Sequence, residues 1–249
     1  TVVTLILITF VMISFTSVST DLQDIENPVG KAAYTGILVR DRNMGDVKSA
    51  LAALREVYGE DYIVTQRAWG GNFTVPQGEV AERADYNVYR IIDEEHKEEA
   101  LMHAVLGLGV DEPKVMPIAR AFEGQPFRRW FESDNEFSCF LPQGAADLLR
   151  LTPEMITQGE AEVEVGGQTY EVLGTFDPAR LEMLLDLDGE TMLPVDIVSM
   201  PEPPSSQDAN VEMEEEESEM PENLPRLPGE DVIITPAGSM PAKALVASV

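Results

Sequence analysis

The chain has 249 residues, of which 44% are apolar, and a formal charge of −28 at pH 7. This length and apolar fraction allow one large or two small hydrophobic cores, and the single cysteine, Cys139, excludes a disulfide-stapled scaffold. The acidic balance excludes binding to nucleic acid or to anionic lipid headgroups, because both carry dense negative charge.

The first twenty residues carry no charge, and Val2 to Val18 are mostly Leu, Ile, Val, Phe and Met. Such a run is at the lower limit of a bilayer span. A signal peptide is the alternative, but the run lacks a basic n-region and a small-x-small cleavage site. The pattern predicts a transmembrane helix over 1–20 and a polar connector over 21–31. Both ends of the sequence lie in apolar runs, which predicts that it belongs to a longer protein.

Residues 32–123 are predicted to form two successive β-α-β units. In the first unit, Tyr34–Arg40 is a strand, Asn43–Gly59 an amphipathic helix with Asp46 as its cap, and Tyr62–Arg67 a strand. In the second unit, a strand is predicted over Asp85–Asp93, a helix over Glu94–Leu108 and a strand over Lys114–Ala121. This order predicts an α+β fold with small open sheets and helices on one face, a porter-like arrangement.

Residues 124–200 are predicted to form an inserted, smaller subdomain of mixed β and α structure. A strand over Glu136–Leu141 precedes a helix over Pro142–Leu151. A hairpin follows, with strands over 162–165 and 168–176 and a Gly-Gly turn. Asp177 and Pro178 then open another short helix, with Asp as the cap and Pro at the first helical position.

The segment 201–231 is rich in Pro and Glu and holds eleven acids against one base, Arg226. It has no periodic apolar pattern, so we expect a loop. Residues 232–249 are predicted to contain a return strand, starting with Val232-Ile233-Ile234, and a C-terminal segment that leads to the next membrane helix.

Several segments, taken in order, resemble the extracytoplasmic (periplasmic core) domain of MacB-like, FtsX-type permeases of ABC transporters. They are the end of the first helix (Ile13–Val18), Glu123-Gly124-Gln125-Pro126-Phe127 with Gln where the family has Arg, Ser138–Leu149, the hairpin Val163–Phe176, Asp186–Glu190, and Leu193-Pro194-Val195-Asp196. The likeness is one of order over most of the chain, and no single motif is specific. The acidic segment 201–231 is not part of the family pattern.

The resemblance implies a permease subunit in the bacterial inner membrane, with one membrane helix before this domain and three after it. It implies a dimer that works with a separate or fused ATP-binding subunit, and a periplasmic adaptor or substrate as a further partner. The domain would transmit the ATP-driven motion of the membrane helices and would itself be neither an enzyme nor a cofactor carrier. No G-x-x-x-x-G-K-[ST] loop is present in the sequence.

Arg128-Arg129-Trp130-Phe131 is the only cluster in the sequence that is both basic and aromatic. Arg128, Arg129, Trp130 and Phe131 are therefore the candidate partner contact, or else they mark a joint between two subdomains. We weigh the two interpretations equally.

Three other motifs have weak chemical signals. Asp186-x-Asp188-Gly189-Glu190 has the alternating carboxylates of a calcium loop but lacks the later ligands of an EF-hand, so a solvated turn is favoured. His96 and His103 are seven residues apart on the predicted helix, whereas zinc ligands on a helix are usually three or four apart. Cys139 lies in an apolar run, where a buried cysteine is more common than a catalytic one.

Two other functional classes remain open from the sequence. A membrane-anchored hydrolase would need a nucleophile, a base and an orienting group, and no G-x-S-x-G setting is present. A single-span adhesion or structural domain would lack both the downstream membrane helices and the ATP-binding partner.

Overall fold

A computed structural model describes residues 47–59, 62–71, 89–93, 97–186, 189–196, 225–241 and 247–248. The predicted membrane helix over 1–20, the connector, the strand over 34–40, His96 and most of the acidic segment lie outside these residues. Within the described ranges, no helix is both long and apolar enough to cross a membrane.

The fold is α+β, with few helices and one mixed sheet. The helices are α1 (Val47–Tyr58), α2 (Glu112–Val115), α3 (Gln143–Leu148), α4 (Pro153–Gln158) and α5 (Pro178–Glu182), with 3-10 helices at Ile118–Phe122 and Gly229–Asp231. The strands are β1 (Arg67–Gly71), β2 (Tyr89–Asp93), β3 (Glu98–Met102), β4 (Ala104–Leu108), β5 (Ser138–Pro142), β6 (Glu162–Val165), β7 (Gln168–Phe176), β8 (Val232–Pro236) and β9 (Ala247–Ser248).

The nine strands are hydrogen-bonded in the order β3-β2-β6-β7-β5-β8-β4-β1-β9. The pairs β4/β8 and β5/β7 are parallel, and the other neighbours are antiparallel. Because β5 is antiparallel to β8, β5 begins at the end of the sheet where β4 and β8 finish. The helices α3 and α5 follow the ends of β5 and β7, so both lie towards the opposite end of the sheet.

The sheet has a hydrophobic core on each face. Along β5, Cys139 and Leu141 pack in one core while Phe140 packs in the other, as expected when successive side chains of a strand point to opposite faces. The first core is mainly aliphatic and is covered by residues of α3 and α4, such as Ala146 and Ile156. The second core is rich in aromatic rings and includes residues of α5 and of the 3-10 helix over 118–122.

The predicted elements from β5 to α5 are confirmed. The hairpin strands have the predicted bounds, and Gly166 and Gly167 both have positive φ, at 62° and 85°, as a two-residue type I′ turn requires. Asp177 caps α5 through its side chain, which accepts hydrogen bonds from the backbone N–H groups of Ala179 and Arg180 at 3.0 and 3.4 Å. The described part of the predicted helix over 43–59 is confirmed as α1 and the strand at 232 as β8, while Asp46, the predicted cap, lies outside the described residues.

The predicted helix over Glu94–Leu108 is wrong, because the described part of this stretch forms β3 and β4. Every side chain of β4 is buried, since β4 lies between β1 and β8 and has a core on both of its faces. A strand buried on both faces is apolar throughout, and such a run also contains the spacing of a helical face. In a helix over this stretch Leu101 would share an apolar face with Ala104 and Leu108, but in β3 its side chain is exposed.

The predicted strand over Lys114–Ala121 is also wrong. Its residues form the end of α2 and the 3-10 helix over 118–122. Pro113 lies in the first turn of α2 and Pro117 is the N-cap of the 3-10 helix, positions where a missing N–H costs little. The predicted strand over 62–67 is wrong as well, because residues 62–66 form no strand and β1 begins only at Arg67.

The two predicted β-α-β units are therefore not found in the described part of the chain. Strands from 32–123 and from 124–200 alternate in one sheet, so the boundary at residue 124 does not separate two sheets. The long-range parallel pairing of β4 with β8 joins the segment before this boundary to the C-terminal strand.

Candidate functional site

The candidate partner contact, Arg128 to Phe131, forms part of the sheet. The backbone N–H of Arg128 donates to the Leu173 carbonyl at 2.8 Å, and Phe127 bridges Gly174 of β7. The guanidinium of Arg128 is paired with Glu171 and lies against Gly159, where an added Cβ would collide with it. This segment thus contacts both the hairpin and the end of α4, which lie within the same predicted subdomain, 124–200.

Arg129 is also held by carboxylates. Its Nη1 lies 3.1 Å from Glu136 Oε2, and its Nη2 lies 3.2 Å from Glu171 Oε2. Both arginines of the cluster therefore have acidic partners within this chain. Their positive charge is partly neutralised within the chain, which weakens the attraction that they could offer to an acidic partner protein.

The two aromatic residues of the candidate contact pack inwards. Phe131 is buried, and Trp130 stacks on Phe140 with ring centroids 5.3 Å apart. Phe122 and Phe127 complete the ring cluster around Phe140 at 4.7 and 5.7 Å. The structure places all four predicted residues together, but only the arginines and part of Trp130 are accessible.

A buried ion-pair network lies at the start of β1 and was not predicted. Arg67 Nη2 lies 2.7 Å from Glu112 Oε1, and Arg67 Nη1 lies 2.5 Å from Asp186 Oδ2. Thr65 donates its hydroxyl to Glu112 Oε2 at 3.2 Å. The network connects β1, α2 and the segment after α5.

Burial and charge act against each other at Glu112. Complete burial raises the pKa of the Glu112 carboxyl, and the guanidinium of Arg67 opposes that shift. Burial disfavours the charged form of Arg67, but the two carboxylates outweigh this effect and raise its pKa, so Arg67 stays protonated. No local pattern signals this network, because the partners of Arg67 are 45 and 119 positions away along the chain.

The acidic residues of the calcium-like motif take part in ion pairs within the chain. Gly189 has a φ of 81°, and the backbone N–H of Asp186 donates to the Glu190 carbonyl at 2.6 Å. Asp186 is paired with Arg67, and Glu190 with Arg226. Among the described residues, no group of three or more His, Cys, Asp or Glu could hold a metal ion. Asp188 lies outside the described residues.

The other weak motifs are placed as follows. Cys139 is fully buried in the aliphatic core, and this burial raises the pKa of its thiol well above the usual range, so it is chemically inert in the folded protein. His103 lies between β3 and β4, with Nδ1 3.2 Å from Asp231 Oδ2. His103 is therefore in the connection between two strands. The described part of the predicted helix over Glu94–Leu108, which would have held both histidines, is not helical.

The acidic segment emerges from a paired stem. Val195 and Arg226 form an antiparallel bridge, and the N–H of Asp196 donates to the Pro225 carbonyl at 2.8 Å. The guanidinium of Arg226 lies over the ring of Trp69, 5.1 Å from its centroid. Asp196 and Pro225, the described residues on either side of 197–224, are therefore held next to each other.

The chain enters and leaves the sheet at the same end of neighbouring strands. Strand β9 is antiparallel to β1, with Ser248 opposite Ala68 and Ala247 opposite Trp69. Ser248 therefore lies at the end of the sheet where β1 begins. The N–H of Gly109 donates to the Gln66 carbonyl at 2.9 Å, which fixes this part of the chain next to the end of β4.

Most of the large apolar side chains exposed around this end lie in one short stretch. Val57, Tyr58, Tyr62 and Ile63 are exposed by 75, 43, 61 and 49%, and the rings of Tyr58 and Tyr62 are 5.6 Å apart. We call these four residues the tyrosine patch. None of the side chains that the structure describes in α1 is buried, although the helix is amphipathic.

Comparison with known proteins adds no relative: no family model, no curated protein and no solved structure matches this chain.

Proposed function

We propose that this chain is the extracytoplasmic domain of a membrane-anchored permease subunit of an ABC transporter. It would bind a substrate or partner outside the membrane and transmit to it the ATP-driven motion of the membrane helices. ATP hydrolysis would belong to a separate or fused nucleotide-binding subunit. The segments that resemble the permease family support the proposal.

One observation carries the proposal: the antiparallel pairing of β1 with β9. A domain inserted between two membrane helices must receive the chain from the bilayer and return it to the same bilayer. The pairing puts the end of β9, which in the proposed permease would lead to the next membrane helix, beside the start of β1.

The structure around this end suits the transmission of force. Arg67 is the first residue of β1, and its ion pairs connect the incoming chain to α2 and to Asp186. A displacement of the chain before β1 would therefore move the body of the domain together with it, because packed interiors deform little.

Labelling of cysteines in intact cells tests the side of the membrane. The thiol of Cys139 is buried and does not react, so the unsubstituted protein is the matched control. Thr169→Cys places an accessible thiol next to the hairpin turn. We expect a membrane-impermeant maleimide to label Thr169→Cys in cells with a permeabilised outer membrane and an intact inner membrane. Labelling that requires disruption of the inner membrane would contradict the proposal.

Purification of the complete protein from detergent-solubilised membranes tests the transporter. We expect a phosphate-loop ATPase to co-purify and to hydrolyse ATP. If the protein carries one membrane span and no ATPase accompanies it, the single-span adhesion domain is the better assignment. Turnover of esters, glycosides or peptides by the purified protein would instead support the anchored hydrolase.

A further inference from the structure

We infer that strands β4 and β5 form the walls of a strand-binding groove whose ligand is the segment 225–241 of this chain. The ligand of such a groove is an extended peptide with several large aliphatic side chains in succession. The inference concerns how the domain is closed, so it does not depend on the proposed function. It makes β8 a separable part that stays bound when the chain is cut between Asp196 and Pro225.

The first argument is that the sheet closes on itself. Strands β3 and β4 are six places apart in the sheet order, which in a flat sheet would separate them by about 29 Å. In the chain only His103 lies between them, so the Cα atoms of Met102 and Ala104 are within about 7 Å of each other. The strand pairings also give β3 and β4 the same direction. They are therefore two halves of one bent strand, and β2 to β8 form a six-stranded barrel.

The aliphatic core is the interior of this barrel. Each of the strands from β2 to β8 has side chains in this core, for example Ile91, Val163 and Ile233. Strand β8 closes the barrel, because it pairs with β4 on one side and with β5 on the other. Without β8 the barrel would be open between β4 and β5, and the backbone groups that now pair with β8 would line the two walls of the opening.

The second argument is the way in which β8 fills this opening. All five of its residues are buried. Ile233 packs in the aliphatic core, while Val232 and Ile234 pack in the aromatic core on the other face. Backbone hydrogen bonds along both edges and pockets for alternate side chains are the features by which proteins bind an added strand. The groove is therefore suited to an extended aliphatic peptide.

The third argument is that the segment has its own anchors on both sides of β8. Before the strand, the N–H of Leu227 donates to the Pro194 carbonyl at 2.9 Å. After it, the Ser239 carbonyl accepts a hydrogen bond from the Tyr170 hydroxyl at 2.7 Å. These contacts join the segment to the body of the domain without involving residues 197–224. The covalent connection through 197–224 is therefore not what holds β8 in place.

The test uses the 249-residue chain, purified in mild detergent, with the recognition sequence of a site-specific protease placed after Glu216. We expect the two fragments to stay together after cleavage and to elute in size-exclusion chromatography at the position of the uncut chain. The urea midpoint of the cut chain should fall on dilution, because two separate chains must meet to refold. The uncut chain is the control, and its midpoint should not change, since its strand stays at a fixed effective concentration.

A pair of substitutions in the cut chain tests the role of the strand itself. Ile234→Ala should raise the dissociation constant of the C-terminal fragment about a hundred-fold, because a buried isoleucine loses its packing. Glu230→Ala is the matched control, since Glu230 is exposed in the same segment, and it should change this constant less than about two-fold. The fraction of fragment released on dilution measures both.

Fragments that separate in native buffer after cleavage overturn the inference. Fragments that elute together with a urea midpoint that is independent of dilution also overturn it, because the complex would then not be a reversible one of groove and strand. Equal effects of the two substitutions overturn it too, since burial of β8 would then not decide the binding.

Discussion

At the centre of the sheet, Phe140 is buried among aromatic rings, whereas at the β1 edge Arg67 is held by two carboxylates. The ring centroids of Phe122 and Phe131 lie 4.7 and 5.0 Å from that of Phe140. The edge instead depends on the paired charges of Glu112 and Asp186. Burial of apolar surface is insensitive to pH, but a buried ion pair is stable only while both partners are present and correctly protonated.

The difference suggests a division of labour under the proposed function. The centre would keep the domain in one shape, and the β1 edge would connect it to the membrane helices. The predictions below probe the two regions in order of expected effect.

The largest effect is expected at the centre. Phe140 lies in β5, at the centre of the aromatic cluster. Phe140→Ala removes this ring, so we expect a loss of about 4 kcal/mol in the free energy of unfolding. Phe127→Ala is the control, because Phe127 stacks on Phe140 but is 41% exposed, and it should cost about 1 kcal/mol. Urea unfolding measures both. Equal costs would show that the centre is not packed more tightly than its rim.

At the edge, Arg67→Met leaves Glu112 buried without its cation. We expect a loss of about 3 kcal/mol at neutral pH, because an unpaired buried charge is strongly destabilising. The pH dependence gives the sharper result. The pKa of Glu112 in the folded protein is raised above its ordinary value of 4.5, so the folded protein keeps this proton at pH values where the unfolded chain has lost it. The contribution of Glu112 to stability is therefore present below pH 4.5 and is lost as the pH rises through the folded pKa.

Without Arg67 the pKa of Glu112 rises further. The loss of stability caused by Arg67→Met should therefore shrink as the pH is lowered towards 4.5. Urea unfolding at several pH values measures this change. Arg67→Lys is the matched variant, since it keeps the charge and loses the two-pronged contact, and an intermediate loss is expected. A loss that is the same at all pH values would show that Arg67 acts by packing alone.

Tyr170 provides a polar contact within the aliphatic core. Its hydroxyl donates to the Ser239 carbonyl at 2.7 Å, and burial, aided by the nearby Cys139, raises its pKa to about 12. Tyr170→Phe should cost about 1 kcal/mol, because the Ser239 carbonyl loses its donor. A raised pKa also means that stability is lost as the pH rises above the ordinary tyrosine value of 10.0 and through 12. Alkaline unfolding followed by circular dichroism should therefore shift to higher pH in Tyr170→Phe, and an unchanged midpoint would contradict this.

Strand β5, α3, the hairpin and α5 were predictable because their signals are local, whereas α4 was not predicted. A Gly-Gly turn, an Asp-Pro cap and alternating apolar residues each act within a few positions. Strand β4 was not predictable, since it is buried between β1 and β8, and β8 is more than a hundred residues away. The inward packing of Trp130 and Phe131 depends on contacts with Phe140 of β5, which no local pattern indicates. The Arg67 network has no local pattern at all, so the candidate site at Arg128–Phe131 was chosen from the one cluster that is visible in the sequence.

The smallest expected effects separate two roles of glycine in the locally determined part of the fold. Gly144 lies in α3 with open space around its Cα, so Gly144→Ala should stabilise the protein by about 0.5 to 1 kcal/mol through a lower entropy of the unfolded chain. Gly167 also has open space, but its φ is 85°, so Gly167→Ala should destabilise by about 1 kcal/mol. Thermal unfolding of the two variants measures the difference. Because neither new methyl group meets a neighbour, opposite signs would show that backbone conformation alone decides the outcome, and a shared sign would mean that the hairpin does not require the left-handed turn.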